Sequence, residues 1–147
     1  PLISPYHIDQ VANFHLKNNL SDIILPTLKV KFKNNTNIIK VVKNKLNNVM
    51  YLSRGNIPFE FKETTSYVHK HLSIISFTPS ALEKFALHEK TNLEKIEDIE
   101  LLRALEIGLK IKSLNLKGDS FSVDILKDFE KASKRMVNDK FFKLYKS

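Results

Sequence analysis

An α/β domain with a mixed, mostly parallel sheet flanked by helices is the fold class these 147 residues predict. Three observations carry that prediction. Segments of helical period alternate with segments of strand period along the chain, an order that needs crossover helices between strands. Hydrophobic residues make up 42%, enough for one buried core at this length. Cysteine is absent, so a disulfide scaffold, a thiolate nucleophile and a cysteine zinc site are all excluded. Residues 1–147 are expected to form a single α/β domain.

Ser4 and Pro5 read as N-cap and first helical position. Ile8, Val11, Ala12 and Leu16 then recur at helical spacing, so the first helix runs from about Pro5 to Asn18. From Asp22 to Phe32 a strand with one wet face is predicted, interrupted at Pro26. Ile38 to Lys43 and Val49 to Ser53 are β-rich runs joined by a hairpin-like connection. An extended loop follows from Arg54 to Tyr67, then a buried strand from His71 to Phe77. Pro79 and Ser80 open a helix carrying Leu82, Phe85 and Ala86. Ile96, Ile99, Leu102 and Leu105 place another helix over Asn92 to Glu106, closed by Gly108 as a left-handed residue. Leu109 to Leu116 alternates as a strand with a break in phase at Ser113, and Gly118-Asp119 makes a turn. A short strand through Phe121–Val123 and a last helix with Leu126, Phe129, Ala132 and Met136 on one face complete the order.

Charge and motifs narrow the function. The balance is 24 Lys+Arg against 16 Asp+Glu, a formal +8, which suits a polyanion partner only if the cations cluster. They are scattered among acids, so no nucleic-acid partner is expected. No apolar run approaches the ~18 residues of a membrane helix, and no leader opens the chain, so no membrane contact and a cytoplasmic location are expected. Glycine-rich phosphate loops, the hydrolase elbow and the HExxH zinc motif are all absent.

A few residues remain as candidates. His69 and His71 stand at i and i+2, the same face of a strand, as a metal or anion pair or as solvent-facing side chains. Arg54 follows a strand and precedes Gly55 and Pro58, a place where an Arg fork grips a carboxylate or phosphate, or where a surface arginine simply sits. Asp124 heads the last helix, as an Mg²⁺ ligand or as an N-cap. Glu94, Glu97 and Glu100 share a helix flank with Arg103, a pattern that suits a solvated face.

Taken in order, these pieces resemble the sugar-acid cytidylyltransferases, most closely the 3-deoxy-manno-octulosonate (Kdo) cytidylyltransferase, or CMP-Kdo synthetase, family. Pro1-Leu2-Ile3-Ser4-Pro5 with Ile8-Asp9 resembles the segment after the family's Gly-Asp-Glu motif, and Ile38-Ile39-Lys40-Val41-Val42 its Val-Val-Lys-Val-Val stretch. Tyr51-Leu52-Ser53-Arg54-Gly55-Asn56-Ile57-Pro58-Phe59 is similar to Tyr-Phe-Ser-Arg-x-x-Ile-Pro-Phe/Tyr, the most specific piece. Lys70-His71-Leu72-Ser73-Ile74 resembles Lys-His-Ile-Gly-Ile. Leu93-Glu94, Glu97, Ile99-Glu100, Leu102-Arg103, Leu105-Glu106 and Gly108 follow the family helix, and Val123-Asp124 with Asp128-Phe129-Glu130 its Val-Asp-Thr-Pro-Glu-Asp-Leu-Glu. The likeness runs from Pro1 to about Ala132.

The resemblance implies a nucleotide-diphospho-sugar transferase-like fold and a definite reaction. An acidic sugar attacks the α-phosphate of CTP with Mg²⁺ present, giving CMP-sugar and pyrophosphate for surface polysaccharide or lipopolysaccharide synthesis. By match, Arg54, His71 and Asp124 are catalytic, Arg54, His71 and Glu100 hold the sugar, and Asp124 binds the metal. Residues 54–70 are implied as a dimer-contact and sugar-site region of a homodimer. The family's nucleotide-binding part would precede Pro1, so this stretch alone is expected to bind CTP poorly and to be inactive. Leu101 stands where the family has Gln, Ile125-Leu126 where it has Thr-Pro, and Ser73 where it has Gly, which adds bulk in the pocket strand. These departures leave two alternatives: a sialic, legionaminic or pseudaminic acid cytidylyltransferase, or a noncatalytic sugar-acid binding or assembly module.

Overall fold

A computed structural model describes residues 3–31, 34–118, 123, 126–139 and 141–142. Its elements in chain order are α1 (Pro5–Lys17), β1 (Ile23–Lys31), β2 (Lys40–Lys43), β3 (Val49–Ser53), β4 (Tyr67–His71) and β5 (Ser76–Phe77). They are followed by α2 (Pro79–Leu87), α3 (Asn92–Glu97), α4 (Glu100–Glu106), β6 (Ile111–Leu116) and α5 (Leu126–Met136). The described strands form one six-stranded sheet.

The α/β class holds, but the pairing is mostly antiparallel. Only β1 and β6 run parallel, with α2 to α4 leading from β5 into β6, whereas β1–β4, β1–β5, β2–β3 and β2–β4 are antiparallel. Of the antiparallel pairs only β2–β3 joins consecutive strands, across a short connection that permits a hairpin return but no helical crossover.

The central strand β1 corrects two expectations. Ile23 through Leu28 are all buried, because α1 covers one sheet face and α2 to α4 the other. A face open to water begins only at Lys29. Each fully buried Ile or Leu here contributes about 1.5–3 kcal/mol. Pro26 does not interrupt the strand: its carbonyl accepts from Leu72 N–H at 3.0 Å, so its nitrogen points to the same edge. On that edge β5 pairs with Ile23 and Ile24 and β4 begins at Thr27, leaving a gap where no N–H is needed.

The predicted strand from His71 to Phe77 is two strands. β4 starts earlier and ends at His71, and Leu72 to Ile75 bridge to the two-residue β5. Ser73 is exposed in that bend and adds no bulk to a strand. The predicted helix over Asn92–Glu106 is likewise broken. Asp98 adopts φ 52°, a left-handed conformation that Asp tolerates better than most residues, and Ile99 follows in an extended conformation with 1% exposure. Burial of Ile99 between α3 and α4 is gained at the cost of helix continuity. Gly108 has φ 79° and closes α4 as expected. The Phe121–Val123 strand lies outside the described residues, apart from Val123, which belongs to no strand.

Candidate functional site

The site is built on one end of the β3–β2–β4 ladder. Ser53 pairs with Lys40 and Lys40 with Lys70. Arg54 and His71 are each one residue further along, and His71 N–H donates to Ile39 O at 3.0 Å. Two of the predicted residues, 17 positions apart in sequence, are thereby set in one row across the sheet. The α3–α4 turn lies against this row and supplies Glu97, Asp98 and Glu100.

Arg54 is neither a surface arginine nor a wholly free fork. Its Nε–H donates to Glu97 O at 2.8 Å, Nη1 to Thr36 O at 3.2 Å and Nη2 to Asp98 O at 3.1 Å. The carbonyls of Glu97 and Asp98 end α3, where a cation is favoured by the helix dipole. A guanidinium has five N–H groups. Three serve the fold, and among the described residues the other two make no hydrogen bond, with the exposed Asp98 carboxylate 3.8 Å from Nη2.

His71 is largely enclosed, and its Nε2 is buried without a hydrogen-bond partner among the described residues. Burial pushes its pKa below the usual 6.5, Glu100 opposes that by favouring the imidazolium, and Lys70 adds to the lowering. Around neutral pH the ring is therefore neutral and has one hydrogen-bonding nitrogen to offer. Glu100 is exposed and near enough to act on His71 electrostatically. The structure thus brings Arg54, His71 and Glu100 to one end of the sheet.

His69 and His71 do share a face, opposite Lys29 and Thr27 of β1. Neither is solvent-facing on an edge, because β4 lies between β1 and β2. His69 lines a separate cavity of about 360 Å³ with Lys43, Lys45, Ile57, Pro58, Thr65 and Tyr67, a lining that does not include His71. Burial, then Lys43 and Lys29, hold the His69 pKa below its ordinary value. Among the described residues no group of three His, Asp or Glu is placed to hold a metal ion. Asp124 lies outside the described residues, so its metal and N-cap readings both rest on sequence.

Glu94, Glu97 and Glu100 do not form a solvated flank. Glu94 is 5% exposed and ion-paired with Arg103 at 3.0 Å, without the alignment of a hydrogen bond. Glu97 faces Ser53 and Arg54, accepting from Ser53 Oγ at 2.6 Å and Arg54 N–H at 2.9 Å. Leu101 is 1% exposed and belongs to the main core.

Sequence reasoning missed Lys40, Ser53 and Glu97. Lys40 is 1% exposed, and its Nζ donates to Arg54 O at 2.6 Å and Asn35 O at 2.7 Å. Burial lowers its pKa while Glu97 opposes the shift. A lone Lys inside Ile38-Ile39-Lys40-Val41-Val42 was the available signal, since a cation flanked by β-branched residues on a strand has little access to water.

Comparison with known proteins bears on the fold and the family. A family model described as cytidylyltransferase matches residues 1–111. An 8-amino-3,8-dideoxy-manno-octulosonate cytidylyltransferase of Shewanella baltica is 34% identical over 145 residues, covering 95% of this chain and 58% of that protein. A 3-deoxy-manno-octulosonate cytidylyltransferase of Thermodesulfovibrio yellowstonii is 34% identical over 143 residues, covering 91% and 56%. The solved structure of a CMP:2-keto-3-deoxy-manno-octonic acid synthetase complexed with CTP superposes with a TM-score of 0.84 at 20% identity, over 94% of this chain and 58% of that one, a likeness of fold. The chain spans a little under three fifths of the length of these relatives. No helix among the described residues is long and apolar enough to cross a membrane. With three quarters of its length under the family model and a third of its residues shared with such relatives, the chain belongs to the cytidylyltransferase family.

Proposed function

We propose that this chain supplies the sugar-acid side of a cytoplasmic, homodimeric enzyme that couples CTP to an acidic sugar of the 3-deoxy-manno-octulosonate type. The products are CMP-sugar and pyrophosphate, for surface polysaccharide or lipopolysaccharide synthesis. The observation that supports it best is the convergence of Arg54, His71 with its unpartnered Nε2, and Glu100 at one end of the sheet. These are donors and acceptors of the kinds a polyhydroxylated carboxylic acid requires.

In the proposed reaction the anomeric hydroxyl of the sugar gives up its proton to solvent as its oxygen bonds to the α-phosphorus of CTP, and the bond from that phosphorus to the oxygen bridging to the β-phosphate breaks, releasing pyrophosphate. The two open N–H groups of Arg54 take the sugar carboxylate as a charge-assisted pair. Neutral His71 hydrogen-bonds a sugar hydroxyl through Nε2, and Glu100 accepts from a second hydroxyl. Binding in one orientation lines the nucleophile up for in-line attack, the main protein contribution in phosphoryl transfer. Asp124 is the residue proposed to hold Mg²⁺, which when bound would neutralise charge on the phosphates.

The test uses the complete gene product with CTP, Mg²⁺ and either 3-deoxy-manno-octulosonate or its 8-amino-8-deoxy analogue, following CMP-sugar and pyrophosphate. Formation of both products, with sugar KM raised in His71→Ala and CTP KM unchanged, is the expected result. Sugar-acid binding with no turnover would favour the noncatalytic module instead, and absence of both would overturn the proposal.

A further inference from the structure

Two peptide segments at the site hold each other in both directions. Glu97 Oε1 accepts from the Ser53 hydroxyl at 2.6 Å and Oε2 from Arg54 N–H at 2.9 Å. In return Arg54 donates from Nε to Glu97 O at 2.8 Å and from Nη2 to Asp98 O at 3.1 Å. The strand side of this clasp is itself anchored, because the buried Lys40 ammonium donates to Arg54 O. Its helix side is the left-handed turn at Asp98, two residues before Glu100.

Such a turn is a hinge unless something fixes it. α3 has six residues and α4 has seven, and neither is long enough to be stable alone. The turn's own hydrogen bond, Asp98 N–H to Glu94 O at 2.8 Å, closes α3 but does not tie it to the sheet. Ile99, Leu101 and Leu102 pack α4 against the sheet, and the clasp adds a directional polar tie at the turn itself. Arg54 and His71 stand on the sheet and Glu100 on α4, so the distance between the sugar-binding groups depends on it.

We propose that Glu97 is a positioning residue of the sugar site: it locks the Ser53–Arg54 strand end to the α3–α4 turn and thereby sets Glu100 against Arg54 and His71. The inference rests on the sugar-acid reading above. Glu97 need not touch substrate, since both of its carboxylate oxygens are occupied by protein donors.

The chemistry of the clasp separates geometry from charge. In Glu97→Gln the amide oxygen still accepts from Arg54 N–H, and the amide N–H donates to Ser53 Oγ, which turns to accept. In Glu97→Ala both bonds are lost. Steady-state kinetics on the complete gene product should give a sugar KM raised about tenfold in Glu97→Ala, with CTP KM unchanged and Glu97→Gln within about threefold of wild type. Ser53→Ala, which removes one of the four clasp bonds together with the Gly55 N–H to Ser53 Oγ bond at 2.9 Å and keeps the fold if Glu97→Ala does not, should raise sugar KM about threefold. A second readout needs no turnover: the NMR titration midpoint of the His71 ring should move to lower pH in Glu97→Ala, as Glu100 draws away, and return in Glu97→Gln. Unchanged sugar KM and unchanged His71 midpoint in Glu97→Ala, or Gln as impaired as Ala, would overturn the positioning role. A wild-type protein that makes no CMP-sugar would instead overturn the sugar-acid reading, and the His71 midpoint would then decide the clasp by itself.

Discussion

Replacing Arg54 with Ala tests whether this side chain is part of the fold as well as part of the site. The structure gives the guanidinium three carbonyl acceptors, at 2.8, 3.1 and 3.2 Å. With its side chain 34% exposed, the two longer bonds compete with water and are each worth about 0.5 kcal/mol, while the half-buried Nε bond, with a charged donor, is worth about 1.5 kcal/mol. The ion pair to Asp98 at 3.8 Å adds little, because the Asp98 side chain is 94% exposed. Arg54→Ala should therefore cost about 2.5 kcal/mol, which lowers the melting temperature by about 8 °C in a chain of this size.

Thermal and urea unfolding followed by circular dichroism reads this directly. Arg54→Lys keeps a cation but loses the fork, so it should recover less than half of the loss. Under the proposed function sugar KM rises in the same variant and CTP KM does not. A melting temperature within about 1 °C of wild type, together with a raised sugar KM, would refute the reasoning. It would mean that the three carbonyl bonds contribute nothing and that Arg54 is held for ligand alone.

Three further outcomes are expected. Lys40→Met leaves the carbonyls of Arg54 and Asn35 without their donor and should cost about 1–3 kcal/mol by urea denaturation, a loss that an equally stable variant would contradict. His69 and His71 both have folded pKa values below 6.5, so the unfolded chain takes up protons first as pH falls. Their contribution is full above 6.5 and is lost as pH drops through 6.5 toward the folded values; the urea midpoint should fall between about pH 7.5 and about pH 5.5, and less steeply in His69→Asn/His71→Asn. Leu101→Gln, which installs the residue the family resemblance has there, buries an amide in the core and should cost about 1–3 kcal/mol by urea denaturation, and unchanged stability would contradict that cost.

The legible parts of the fold were those written in local pattern. Pro5, Pro79 and Gly108 mark helix ends by backbone chemistry that tertiary structure does not override, and α1, α2 and the end of α4 fall where they indicate. The break at Asp98 was not legible, because Ile96, Ile99 and Leu102 keep helical spacing across it. Ile99 is buried and Ile96 is 77% exposed, a difference that only a change of direction produces. The parallel or antiparallel sense of short strands was illegible for the same reason: hydrophobic period records which residues are inward, not which way the chain returns. Arg54 and His71 could be singled out by motif. Glu97 could not, since a glutamate three residues from two others looks like any solvated flank.

That flank shows why the broken helix matters to the site. On one continuous helix Glu94, Glu97 and Glu100 would lie along a stretch of about 9 Å on a single side and compete for the same cations. The left-handed turn after Glu97 sends them to separate partners: Glu94 to Arg103 across the α3–α4 pair, Glu97 to the Ser53–Arg54 strand end, Glu100 toward His71. Only the last is exposed. Two carboxylates thus hold the frame, and the third is left free to meet a ligand, a division of labour that backbone direction creates from three chemically identical side chains.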